Sequence, residues 1–146
     1  MLTPEQIAGL DGLSLALIDE FRRMLPSAGR KEEITDRLEV TIPSIHPEVG
    51  DIVARLDGDE ITVSIGEHFH CHFSTYLQDS LSSDEVERAT AREAVEYIAD
   101  FMAGDMILRL QFKGKQFRSS ETYYRDTEVK PPGRDDREYD WSGPLP

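Results

Sequence analysis

Two stretches of the chain carry apolar residues at intervals of three and four, a pattern that predicts amphipathic helices. The first run contains Ile7, Leu10, Leu13, Leu17, Ile18, Phe21 and Met24 and ends before Pro26. The second contains Val86, Ala89, Ala94, Val95, Ile98, Phe101 and Met102 and ends before Gly104. Thr3 and Ser82 each precede a Gln or Glu by three residues, which is the spacing of a capping box at a helix N-terminus.

Alternating apolar and polar residues predict five β-strands. They cover about 37–42, 52–56, a long segment from Glu60 towards Tyr76, 106–112 and 116–124. Asp57-Gly58-Asp59 is a hairpin signal, and Gly66 is interpreted as a bulge within the long strand. The charged residues 30–36 are predicted to be a connector.

The predicted order of elements is α-β-β-β-α-β-β, and the fold class is α+β. Short connections favour antiparallel neighbours, so we predict a single, mostly antiparallel five-stranded sheet with two helices packed on one face. The other face of the sheet would be partly open. Residues 1–124 would form one domain, and residues 125–146, which are rich in charge, Pro and Gly, would form a polar tail. Tyr139 and Trp141 could anchor this tail to the body of the protein or to a partner.

The charge of the chain narrows the range of partners. The 146 residues include 29 acidic and 16 basic side chains, a net charge of −13. A strongly acidic surface disfavours nucleic acid and anionic membranes and favours a basic protein partner. No apolar run is long enough to span a membrane, and the N-terminus lacks the pattern of a signal peptide, so a cytoplasmic protein is predicted.

The segment from His68 to Phe73 is the strongest candidate for chemistry. Histidines alternate with Phe69, Cys71 and Phe73, so on one strand His68, His70 and His72 would share the face opposite a core-facing set. Histidines two residues apart on a strand, about 6.6 Å, could converge on one zinc ion, but a third ligand would have to come from elsewhere. We therefore predict no metal or cofactor, and keep a small metalloprotein as an alternative.

No pattern in the sequence specifies a catalytic residue. Cys71 lies between two phenylalanines, and its neighbouring histidines would point to the other face, so it is interpreted as a core residue. The carboxylates have no spacing that defines an acid–base pair. Phosphate-binding glycine loops and Ser-His-Asp signatures are absent from the sequence.

Two stretches carry a resemblance to other proteins: EITVSIGEHFHCHFSTYL, and the helix–strand unit ERATAREAVEYIADFMAGDMILRLQF. Over about residues 60–124 the chain resembles a group of small acidic bacterial proteins, some of which are similar to the immunity proteins of polymorphic toxin systems. The resemblance implies a protein that binds and neutralises a toxin, and it implies no catalytic residue. The order of elements also resembles that of type III secretion chaperones, which are small acidic dimers.

These observations together predict a non-enzymatic binding module, most concretely an immunity protein that occludes the active site of a basic toxin. The predicted contacts are Asp57, Asp59, His68, His70, His72 and Tyr76. A secretion chaperone-like dimer and a metalloprotein that uses the strand histidines are the alternatives.

Overall fold

Three α-helices form in the computed structural model, which describes residues 1–75 and 82–146: α1 (Pro4–Ala8), α2 (Gly12–Met24) and α3 (Ser83–Met102). Thr3 and Gln6 make the predicted capping box at α1, and the side chain of Ser82 accepts a hydrogen bond from the backbone of Glu85 at the start of α3. Asp11 caps α2 in the same way, which separates the first apolar run into two helices. No helix among the described residues is long and apolar enough to cross a membrane.

The first sheet is a five-stranded antiparallel meander in which chain neighbours are also spatial neighbours. Its strands are β1 (Lys31–Ile34), β2 (Leu38–Ile42), β3 (Ile52–Asp57), β4 (Glu60–Ile65) and β5 (Phe69–Ser74). Two helices, α2 and α3, pack against each other, and α3 also contacts β4 and β5. The buried faces of these elements form the core.

The predicted long strand from Glu60 is wrong, because the chain reverses within it and forms β4 and β5. Gly66 has a φ of +62° and starts the turn, so it is a hairpin residue and not a bulge. Ile65 pairs with Phe69, which leaves three residues in the turn. A loop of that length keeps odd-numbered residues of both strands on the same face, so the apolar pattern runs through the turn without interruption.

A second sheet, with strand order β7-β6-β8-β9, follows α3. Its strands are β6 (Met106–Lys113), β7 (Gln116–Tyr124), β8 (Arg137–Asp140) and β9 (Gly143–Pro144). The assignment of residues 125–146 to a polar tail is therefore wrong for β8 and β9. Tyr139 and Trp141 are each only 6% exposed, and Trp141 lies edge-on to Phe101 of α3 with 6.1 Å between ring centroids. Burial of these two rings holds the segment against the core.

The fold class α+β is confirmed, but the single sheet of order α-β-β-β-α-β-β is corrected to two sheets and three helices over the described residues. Residues 30–36 are also more than a connector, since they contain β1. Within β1 the carboxylate of Glu32 is buried and lies 3.0 Å from Arg30 Nε and 3.3 Å from Arg22 Nη2. These ion pairs allow a highly charged segment to sit beside the core.

Candidate functional site

The face of the first sheet that points away from the helices is a polar surface, called here the open face. Its side chains alternate with the buried ones along β2 to β5: Glu39, Thr41, Val53, Arg55, Asp57, Glu60, Thr62, Ser64, His70 and His72. The side chains of Arg55, Glu60 and His72 are 39%, 37% and 48% exposed. Solvent therefore reaches these side chains, whereas Thr62, which is paired with Arg55 on one side and with His72 on the other, is buried.

Asp57 is at the centre of an ion-pair network on the open face. Its carboxylate pairs with Arg37, lies 3.4 Å from Arg55 Nε and accepts a hydrogen bond of 2.6 Å from the Thr62 hydroxyl. Burial raises the pKa of Asp57, but the Thr62 hydroxyl and the two guanidinium groups outweigh it and hold the pKa below its ordinary value. The negative charge of ionised Asp57 is thus already compensated by Arg37 and Arg55, and Asp57 is not an unpaired carboxylate.

Two of the three strand histidines lie side by side on the open face. The rings of His70 and His72 are 5.3 Å apart and nearly perpendicular. The Nδ1 atom of His72 lies 3.1 Å from Thr62 Oγ1 and 3.2 Å from Glu60 Oε1. Both imidazole rings are exposed, and Phe69, Cys71 and Phe73 point to the opposite face.

The other predicted contact residues are placed differently. His68 lies in the turn after β4, and its ring stacks on Phe117 of the second sheet at 4.4 Å, so it does not belong to the open face. Asp59 is in the exposed turn between β3 and β4. Tyr76 lies outside the described residues. The structure therefore brings His70 and His72 together with the Asp57 network and separates His68 from them.

The described residues contain no group of three or more His, Cys, Asp and Glu side chains arranged to hold a metal ion. His72 contacts both His70 and Glu60 on the open face, but the three side chains do not form such a group.

Cys71 packs on the inner face of β5, where a thiol is a poor nucleophile. Burial raises its pKa to about 11, and the hydrogen bond with Tyr97 lowers it only in part. The Tyr97 hydroxyl is itself 2.6 Å from the hydroxyl of Thr122, and burial also raises the pKa of Tyr97. This group of polar side chains ties α3 to both sheets and offers no activating base.

A recess between the two sheets is a feature that the sequence patterns did not predict. It has a volume of about 360 Å³ and is called here the inter-sheet recess. Its lining combines the loop before β3, the turn after β4, and strands β6 and β8: Pro47, Glu48, Val49, Gly50, Ile65, Gly66, Glu67, His68, Leu108, Leu110, Phe112, Arg137 and Tyr139. Periodicity could not find it, because it depends on β8 lying beside β6.

Substitution of Asp57 by Asn tests the energetic role of its network. The folded-state pKa is lowered, so ionised Asp57 stabilises the fold above its ordinary pKa of 3.8, and this contribution is lost as the pH falls through the lower folded value. We expect Asp57→Asn to lower the free energy of unfolding by about 1 kcal/mol at neutral pH. The difference from the parent should vanish in strong acid. Urea denaturation over a pH series measures it, with the exposed Asp126→Asn as a control that changes little at any pH.

Comparison of the chain with protein-family models, with curated proteins and with solved structures gives no match.

Proposed function

We propose that the chain is a protein-binding module whose partner is a basic protein, and that it acts as an immunity protein that neutralises a bacterial toxin by occlusion. The observation that carries this proposal is the open face, a largely polar surface that presents two adjacent, exposed imidazole rings. The resemblance over residues 60–124 favours the toxin as the kind of partner.

Charge supports a basic partner. At −13 the molecule has a long-range field that attracts cations, and such fields raise association rates by steering the partner during approach. The attraction comes from the whole acidic surface and does not need Asp57, which Arg37 and Arg55 already neutralise. The net charge thus sets the rate of encounter, and the open face sets which partner stays bound.

The rings of His70 and His72 suit them to the centre of a docking surface. An imidazole ring presents an apolar body together with a polar tip, which is the property that interface residues share. His72 is held in place by Thr62 and Glu60, so it loses little freedom on binding. Occlusion requires no chemistry from this chain, since covering the active site of a toxin is sufficient.

The product of the gene next to the one that encodes this chain is the partner to test first. We expect the purified protein to bind it and to abolish its toxicity when the two are co-expressed. The double variant His70→Ala/His72→Ala should weaken binding at least about tenfold, which is the loss typical of truncating central interface residues. The matched control Arg118→Ala/Ser119→Ala changes two exposed residues of the second sheet and should bind as the parent does.

Ionic strength separates steering from docking. We expect the association rate to fall steeply between low and physiological salt, whereas the histidine variant should change mainly the dissociation rate. A partner that binds at a salt-independent rate would contradict the electrostatic part of the proposal. Equal affinity of the histidine variant and the control would exclude the open face as the docking surface, and failure to bind or protect would contradict immunity.

A further inference from the structure

The inter-sheet recess has an apolar floor and a charged rim. Leu108, Leu110 and Tyr139 of the second sheet and Ile65 of β4 form the floor, and each is at most 8% exposed. Its volume of about 360 Å³ lies within the range of small-molecule sites, roughly 300–1,000 Å³. A ligand of modest size with an apolar part fits such a space.

The rim carries charges of both signs. Glu48 and Glu67 extend from the first sheet's loop and turn, and Arg137 extends from β8. Among residues 1–75 and 82–146 none of the three forms an ion pair, although other arginines pair with nearby carboxylates. The guanidinium carbon of Arg137 instead lies over the Phe112 ring, 4.6 Å from its centroid. Both signs of charge therefore remain available to a ligand.

Close backbone packing places the two segments that carry Glu48 and Glu67 side by side. A Cβ atom on Gly50 would lie 2.6 Å from Gly66 Cα, so the loop carrying Glu48 lies directly against the turn carrying Glu67. The turn also contacts the second sheet, because the Ser120 hydroxyl donates a hydrogen bond of 2.6 Å to the carbonyl oxygen of His68. The recess is thus formed before any ligand arrives, which reduces the cost of binding.

We propose that the inter-sheet recess binds a free α-amino acid with an apolar side chain. The ammonium group would lie between Glu48 and Glu67, the carboxylate would pair with Arg137, and the side chain would rest on the floor. Charge-assisted hydrogen bonds to the ammonium and to the carboxylate fix the orientation of the ligand, and the apolar floor selects its side chain. This site lies apart from the open face and does not depend on the proposed protein partner.

Isothermal titration calorimetry of the unmodified protein with phenylalanine and with leucine tests the proposal. We expect saturable binding of both. Phenethylamine lacks the carboxylate and 3-phenylpropionate lacks the ammonium group, so each should bind at least about tenfold more weakly than phenylalanine, the usual loss for one charge-assisted hydrogen bond. Asparagine, which is zwitterionic but polar, should bind weakly as well.

Variants assign the contacts of the ligand's two charged groups. Arg137→Gln should lower the affinity for phenylalanine at least about tenfold and leave the weak binding of phenethylamine unchanged. Glu67→Gln should lower the affinity for phenylalanine, whereas 3-phenylpropionate should bind this variant as well as it binds the parent. Arg118→Gln and Glu128→Gln neutralise exposed charges outside the recess, and both should bind as the parent does. Circular dichroism of each variant confirms that it is folded.

Two results would overturn the proposal. The first is the lack of any saturable signal with either amino acid up to millimolar concentrations. The second is phenethylamine binding as tightly as phenylalanine, because the recess would then recognise a cation alone and Arg137 would have no role as a ligand contact.

Discussion

A chain that ends at residue 136 is expected to lose its cooperative unfolding transition. The deletion removes β8 and β9, and with them Tyr139 and Trp141, each 6% exposed. Losing a large buried aromatic side chain costs about 3–5 kcal/mol, and a domain of this size is stable by only about 5–15 kcal/mol. It also takes Glu138 away from Arg109, whose side chain is 4% exposed, and so removes the shorter of its two ion pairs.

Calorimetry of the shortened chain measures the effect, and two full-length variants separate burial from length. Tyr139→Ala/Trp141→Ala should be nearly as damaging as the deletion. Glu128→Ala/Arg134→Ala, two exposed positions in the same part of the chain, should leave the melting temperature within a few degrees of the parent. A shortened chain that melts at the parent's temperature would show that β8 contributes nothing to the core.

Gly66→Ala is expected to destabilise the protein by about 3 kcal/mol or more. Gly66 has a φ of +62°, which L-residues rarely adopt, and a Cβ atom there would lie 2.4 Å from the carbonyl oxygen of Val49. Relief of that contact requires the loop before β3 to move away from the turn after β4. Urea denaturation measures the change in the free energy of unfolding.

Gly114→Ala is the matched control for this substitution. Gly114 has the same φ of +62°, but nothing lies within 4 Å of its added Cβ atom. It should therefore show only the conformational cost, about 1–2 kcal/mol. Equal losses in the two variants would mean that the close approach of loop and turn adds nothing to stability.

Local patterns predicted much of the fold. Capping signals and apolar spacing located the helices, and alternation located most of the strands, because those features depend on residues a few positions apart. The alternation of apolar and polar residues did not reveal the chain reversal at Gly66, because a three-residue turn leaves odd-numbered residues on the same face before and after it. Ile65 and Phe69 are paired and face the same way. Only the glycine itself marked the turn.

Contacts that form only in the folded chain account for the other differences. Glu32 is buried in β1 because it forms ion pairs with Arg22 and Arg30. Strand β8 joins the second sheet because Tyr139 and Trp141 pack into the core. A charged composition cannot show either arrangement. The same holds for the candidate sites, since the sequence placed His70 and His72 on one surface but could not show that Arg37 reaches Asp57, 20 residues away.

The position of Trp141 gives the molecule a built-in spectroscopic reporter. It is the only tryptophan of the chain, and it touches Phe101 at the junction of α3 with the last strands. Its fluorescence therefore reports the docking of the C-terminal strands specifically, whereas far-ultraviolet circular dichroism reports the helices. Coincidence of the two signals during unfolding would show that both sheets and α3 melt as one unit, and an earlier red shift would reveal a state in which the second sheet opens first.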